Sequence, residues 1–241
     1  SGDSQARFIF REGESTLALY GYEYAGLEKA TGLPLWFLNN DGTPDNSRVD
    51  GQPMYVDGRS VVYFNNFNRA DMVVYGDIHP KLYGGINTDL EWKGLSVGLN
   101  FIYKIGGYSY DGAARDVIDD GYYGERVQAY EQYRNRWTYE NQDGKLPQRL
   151  SIGSQHRLQR GSRDMNPADF IRLKNLNIGY NIPSRITQPV GISNARVYFS
   201  GMNLWTWAKY DVYDPEIDPW GVQAINVPLT KTYTFGIDIT F

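Results

Sequence analysis

The last ten residues alternate strictly, with Tyr233, Phe235, Ile237, Ile239 and Phe241 at every second position and Thr232, Thr234, Gly236, Asp238 and Thr240 between them. A period of two is that of a β-strand with one oily and one polar face. The same grammar recurs where Leu95, Val97, Leu99, Phe101 and Tyr103 alternate with Ser96, Gly98, Asn100, Ile102 and Lys104, only Ile102 breaking the polar set. Just upstream, Leu82, Gly84, Ile86, Thr88 and Leu90 alternate with Lys81, Tyr83, Gly85, Asn87 and Asp89. Trp92, Lys93 and Gly94 join the two segments, which predicts a hairpin with a short turn. Further strands are predicted over residues 16–26, 168–182 and 194–210, with a partial one over 7–10. Within 168–182 the apolar parity slips from Ile171 and Leu173 to Leu176, Ile178 and Tyr180, predicting a β-bulge near Lys174 and Asn175. A similar slip follows Gly201, between Val197, Phe199 and Leu204.

Several of these strands run about a dozen residues, against ~5–6 in soluble sheets, and are long enough to cross a bilayer at a tilt. One such strand fits two structures: a half-buried strand of a soluble sandwich, or a barrel strand with lipid outside and a polar lumen inside. The connections separate the two. Short ones (residues 11–15, 92–94 and 183–193) alternate with long ones (27–79, 111–167 and 211–228). Structureless connections beyond ~12–15 residues are uncommon in soluble domains, whereas outer-membrane barrels pair short periplasmic turns with long extracellular loops. Counting back from Phe241 sets the carboxy-terminal end on the short-turn, periplasmic side. The expected fold is therefore all-β, a transmembrane antiparallel β-barrel with long extracellular loops. In the second long loop, residues 124–137 (GERVQAYEQYRNRW) predict a short helix.

Composition supports a chain whose rings are covered by something. Tyr 20, Trp 6 and Phe 10 in 241 residues argue against disorder. No apolar run approaches the ~18 residues of a membrane-spanning helix, which leaves a barrel open because its strands alternate. A net charge of −4 carries no basic footprint, so nucleic acid is set aside. The absence of cysteine excludes disulfide scaffolds, Cys-ligated zinc and thiol catalysis. The first residues show no signal peptide, an expectation of processing or of a downstream piece.

Candidate chemistry is sparse. His79 and His156 are the only histidines, too few for a three-His zinc site. The stretch Gly153-Ser154-Gln155-His156 lacks the G-x-S-x-G of a nucleophile elbow, and the adjacent Asp119 and Asp120 give no carboxylate geometry, so no catalytic residue is assigned. The acidic residues Asp211, Asp214, Glu216 and Asp218, and Asn39, Asn40 and Asp41 before Gly42, have the oxygens for Ca2+ without the glycine spacing of a calcium loop. A hydrogen-bonded turn is favoured and no cofactor is expected. Trp92, Tyr103, Tyr180, Trp205, Trp207 and Tyr233 fall near predicted strand ends, where amphipathic rings form an interfacial girdle, with ordinary packing as the alternative. On the barrel reading Tyr233, Phe235, Ile237, Ile239 and Phe241 form the assembly signal, a final strand read by β-augmentation and ending on an aromatic residue. The loop aromatics Trp36, Tyr110, Tyr122, Tyr123, Trp137 and Trp220 are candidates for substrate or lid contact, against loop packing.

Residues 168–183 (ADFIRLKNLNIGYNIP), 191–210 (GISNARVYFSGMNLWTWAKY), 213–216 (YDPE) and 231–241 (KTYTFGIDITF) occur in that order. Together they strongly resemble the carboxy-terminal signature of SusC/RagA-like TonB-linked outer-membrane proteins. Residues 10–15 (FREGES), 22–32 (YEYAGLEKATG) with Pro34, Leu35 and Trp36, and 80–86 (PKLYGGI) are similar to that family's middle-to-late barrel. The resemblance implies that residues 1–241 are the C-terminal segment of a large, plugged barrel of the 22-stranded type, with plug and TonB box absent from this chain. It also implies import of an oligosaccharide or peptide across the outer membrane of a Gram-negative, Bacteroidota-type bacterium. A SusD-like surface lipoprotein would cap the barrel, TonB would act on the plug and the bilayer would surround the wall. Six strands and a partial one cannot close such a barrel, so a longer polypeptide is expected.

Two other functions remain open on the residues alone. One is a soluble, secreted all-β domain that binds or hydrolyses glycans, its alternating rows facing a dry core. The other is an interaction surface built by the long loops, whatever the barrel carries.

Overall fold

The structure, a computed structural model, describes residues 8–38, 54–63, 72–111, 135–148, 161–216, 222–223 and 229–241. It divides into two compact units. The first comprises Ser1–Ile78, Tyr108–Asn166 and Asp218–Ile225; the second comprises His79–Gly107, Pro167–Ile217 and Asn226–Phe241.

The second unit is one five-stranded sheet in the order β15-β13-β12-β9-β8, with every pair antiparallel. Its strands are β8 (Leu82–Trp92), β9 (Leu95–Ile105), β12 (Phe170–Asn181), β13 (Asn194–Ala208) and β15 (Thr232–Thr240). The hairpin expected at Lys93 and Gly94 is present. Both residues have positive φ, 49° and 89°, as a two-residue type I′ turn requires, and glycine takes the second position without a Cβ clash. The bulge expected near Lys174 is also present: the register of β12 shifts between Leu173 and Asn175 against both neighbours. The second slip coincides with Asn203, which adopts φ 53° in β13. The short connection 183–193 carries a helical turn, α1 (Ser184–Thr187), followed by a 3-10 turn at Gln188–Val190. The helix expected over 124–137 lies outside the described residues except for its last three, of which Asn135 is in a 3-10 turn and Arg136 and Trp137 are not helical.

The first unit contradicts two expectations. Residues 16–26 do not form one long wall strand. They break at Glu23 into β2 (Ala18–Tyr22), which pairs with β1 (Phe8–Ile9) and β7 (Met72–Asp77), and β3 (Tyr24–Leu27) in another sheet. The physical reason is visible in β2, where both faces are covered: Ala18, Leu19 and Tyr22 are 1%, 0% and 6% exposed. A strand apolar on both faces belongs inside a layered core, whereas a wall strand keeps one polar face. The connection 11–15 joins β1 and β2, two antiparallel strands of this unit, and is short as expected. Nor are the long connections structureless. The first carries β4 (Pro34–Phe37), β5 (Met54–Val56) and β6 (Arg59–Tyr63), which with β3 make a four-stranded sheet in the order β3-β4-β6-β5. The second starts at the end of β10 (Tyr108–Asp111) and contributes β11 (Met165–Pro167), and the third adds β14 (Val222–Gln223), which pairs in parallel with β10.

This unit holds the apolar core. Tyr22, Trp36, Leu38 and Val62 form one cluster; Leu19, Ile78, Tyr110 and Met165 a second; Leu35, Phe37, Met54 and Val61 a third. Trp137 cross-links its first two connections. The ring is 2% exposed, and its Nε1 donates to the Lys29 carbonyl at 2.8 Å. It also lies so close over Gly32 that any Cβ there would overlap it. Gly32 has φ 68°, and its carbonyl accepts from the Gln148 amide at 2.9 Å. Trp137→Ala should cost on the order of 3–5 kcal/mol. Hydrogen exchange of the intact protein should speed up together at Lys29–Leu33 and at Trp137–Leu146, with β9 and β12 unchanged; unchanged protection at both segments would contradict the packing described.

Candidate functional site

In the wall sheet the register sorts side chains into two faces. One face carries the cross-strand rows Trp92–Leu95–Tyr180–Val197–Ile237, Leu90–Val97–Ile178–Phe199–Phe235 and Ile86–Phe101–Leu173–Trp205. The other carries Asn87–Asn100–Asn175, Asp89–Gly98–Asn177–Ser200–Thr234 and Asn181–Arg196–Asp238. On the polar face Asn100 donates to Asn87 and the Ser200 hydroxyl to Asn177 Oδ1 at 2.7 Å.

Away from the short connection 183–193, no second layer covers the oily face among the described residues of this unit. Phe235 is 78% exposed, Ile237 67%, Trp92 67% and Leu90 59%. Each such side chain would contribute roughly 1.5–3 kcal/mol on leaving water. Length fits a bilayer as well. Eleven residues of β9 at roughly 3.4 Å each, tilted by about 40°, project about 29 Å, enough to cross the apolar band of about 25 Å on barrels of this kind.

At the far end of the polar face lies a charged latch. Arg172 is 3% exposed. Its Nε donates to Thr206 Oγ1 at 2.9 Å, one terminal nitrogen to Glu216 Oε2 at 2.7 Å and the other to Asp214 Oδ1 at 2.7 Å. Lys174, the bulged residue, donates to both oxygens of Glu216 at 2.9 and 2.8 Å. The same Asp214 accepts the Glu216 amide at 2.9 Å and the Leu229 amide at 3.2 Å. The segment after β13 is thus folded back on the sheet and tied to the chain entering β15. A cavity of about 340 Å3 opens beside it, lined by Asn203, Thr206, Tyr213 and Lys231 among others. Burial pushes the Asp214 carboxyl up, but the Glu216 amide, the Arg172 guanidinium and the Leu229 amide together outweigh it and hold the group below the ordinary carboxylate value.

Residues 213–216 (YDPE) therefore act as anions for a buried arginine, and the carboxylates of Asp214 and Glu216 are turned onto cations of the wall. Among the described residues no group of three or more His, Cys, Asp or Glu side chains is arranged to hold a metal ion. Asp218 lies outside the described residues, as do Asn39, Asn40, Asp41, Asp119, Asp120 and His156. The latch was not singled out in the sequence, although an arginine and a lysine in the middle of the strongly apolar Phe170–Asn181 strand were its signal.

The carboxy-terminal residues Tyr233, Phe235, Ile237, Ile239 and Phe241 are exposed, from 49% at Ile239 to 87% at Phe241. Trp92 and Tyr180 share a row at the short-turn end, while Tyr103, Trp205 and Trp207 lie in rows toward the opposite end, on the same oily face. The loop aromatics behave differently. Trp36, Tyr110 and Trp137 are 1%, 1% and 2% exposed and packed within the first unit, so no ring face is left for a substrate or lid. Tyr122, Tyr123 and Trp220 lie outside the described residues.

A two-faced antiparallel sheet with a bare apolar side is a sector of an outer-membrane β-barrel wall. Known proteins agree. Over 97% of its length the chain is 28% identical to TonB-dependent receptor P3 of Formosa agariphila, and over its full length 28% identical to TonB-dependent receptor P26 of the same organism. It spans 23% and 24% of those relatives. The solved RagAB peptide transporter matches 93% of the chain with a TM-score of 0.69 at 28% identity, using 23% of its own chain. The RagAB peptide importer in its closed-closed and open-open states matches with TM-scores of 0.63 and 0.60. No family profile matches the chain. The resemblance read from the motifs is thus shown: the chain is similar throughout to SusC-like TonB-dependent receptors, proteins of the outer membrane in Bacteroidota and not enzymes.

Arg172→Ala would leave Asp214 partly buried without its cation, a change on the order of 3 kcal/mol. It should open residues 211–216 to protease while the wall stays folded; a variant as resistant as the wild type would show that the latch bears no load. Because the Asp214 pKa is lowered on folding, its contribution is complete above the ordinary carboxylate value and is lost as pH falls through the lower folded value. Amide exchange at Glu216 and Leu229, corrected for intrinsic rate, should stay protected down to about pH 4 and rise below it. In Asp214→Asn that pH dependence should vanish.

Proposed function

We propose that this chain is the C-terminal segment of the barrel domain of a TonB-dependent importer. The plug and TonB box would lie in parts of the polypeptide outside these residues. The importer takes up an oligomeric nutrient, peptide or oligosaccharide, with a SusD-like lipoprotein as its surface partner. The observation that carries this reading is the five-stranded sheet whose oily face is bare and whose polar face carries amides and a folded-back segment, supported by 28% identity to TonB-dependent receptors along the whole chain. Likeness to the RagAB peptide importer supports the peptide arm, while the motif resemblance to SusC-like proteins supports the oligosaccharide arm.

On the same reading the two aromatic sets on the oily face, Trp92 with Tyr180 and Tyr103 with Trp205 and Trp207, are the girdles at the two membrane boundaries. The strand from Tyr233 to Phe241 is the assembly signal. Energy reaches the pore through TonB, the wall itself being passive.

Deleting the complete gene should abolish growth on one nutrient class, either defined oligopeptides or defined oligosaccharides, with growth on the monomers intact. Purification in mild detergent should bring down a surface lipoprotein. Unimpaired growth on every oligomer would overturn the importer reading, and a receptor purified alone would overturn the partner. Phe241→Ala should reduce the amount of heat-modifiable barrel in the outer membrane several-fold; undiminished assembly would remove the terminal strand from that role.

A further inference from the structure

We propose that α1 and the 3-10 turn after it form an interfacial foot, seated in the phospholipid leaflet at the short-turn end of the wall. This rests on the membrane-facing reading of the oily face. The connection is firmly held: the Ile182 amide donates to the Ala195 carbonyl at 2.8 Å, and the Ser193 amide and hydroxyl donate to the Thr240 carbonyl at 2.8 and 2.9 Å. Thr187 is 5% exposed and α1 packs on β13.

Which face α1 covers follows from Ala195. It belongs to the oily parity with Val197 and Phe199 and lies opposite Ile239. Yet Ala195 is 5% exposed, whereas Val197 is 36% and Ile239 49%. Ile182 and Ile239 flank Ala195 within the sheet, and α1, the helical element packed on β13 at this end, completes its cover if the turn folds over the oily side. Among the side chains the turn presents outward, beside Ser184, Arg185 and Gln188, are two aliphatic ones: Ile186 is 59% exposed and Val190 70%. In water two open aliphatic side chains on a seven-residue turn gain nothing. Beside a sheet face that meets hydrocarbon they extend it past Trp92 and Tyr180 into the headgroup boundary, where aliphatic carbon meets acyl chain and the neighbouring Arg185 meets phosphate.

These 241 residues contain no cysteine, so single labelling sites can be introduced here in a full receptor whose cysteines elsewhere, where present, have been replaced by serine. Ile186→Cys, Val190→Cys, Val97→Cys and Lys93→Cys, each carrying a nitroxide, are reconstituted in phosphatidylethanolamine–phosphatidylglycerol vesicles. Collision with oxygen and with a water-soluble nickel chelate is then measured by spin resonance. The foot predicts that labels at 186 and 190 lose nickel access relative to 93 and gain oxygen access, though less than at 97. If 97 is oxygen-rich while 186 and 190 match 93, the foot is wrong and the membrane wall stands. Loss of access to both reagents at 186 and 190 would mean cover by protein and would equally overturn it. Nickel access at 97 would remove the wall reading and the foot together.

Discussion

A single sheet cannot bury its own side chains, and the rest of the structure depends on that constraint. Five strands in one layer leave Phe235, Ile237, Leu90 and Trp92 open on one side and a field of asparagine, serine and charge on the other. Water would penalise the first face and a dry core the second. Only a setting with hydrocarbon outside and a hydrated space inside satisfies both, and it also demands that every backbone group be paired. The register supplies this along β9, β12 and β13. β8 and β15 are the edges of this sheet among the described residues.

The first unit answers a different problem. Long connections hanging from a wall would spend most of their apolar residues in water. Here they are joined into a body with its own core, through the β10–β14 pairing, the Trp137 ring on Gly32 and the Tyr24 amide on Ser162 Oγ at 3.0 Å. The latch at Arg172 serves the wall in a related way. It turns the one buried guanidinium of β12 into an anchor for the segment that enters the last strand.

Much of the wall was legible in the sequence because lipid-facing strands obey a strict period of two. Strands β8, β9, β12, β13 and β15, the Lys93-Gly94 turn and the bulge at Lys174 all left that mark. The first unit was illegible for the converse reason. Its short strands are apolar on both faces, as in Pro34–Phe37 with all four residues buried, and a run of four has no period to read. Trp36, Tyr110 and Trp137 looked available because they sat in apparent loops, and only long-range pairing reveals what covers them. The latch joins residues more than forty positions apart, a separation no local pattern encodes.

The central claim is that alternate residues of one strand meet lipid and water in turn. Its most direct test is a cysteine scan of Thr232–Thr240 in the membrane-embedded receptor, read with a membrane-impermeant maleimide after the lumen has been made accessible. The account predicts labelling at Thr232, Thr234, Asp238 and Thr240 and protection at Tyr233, Phe235, Ile237 and Ile239, position 236 being left out because the Tyr198 ring lies over Gly236. Uniform labelling, or protection of the polar set with labelling of the oily one, would contradict it.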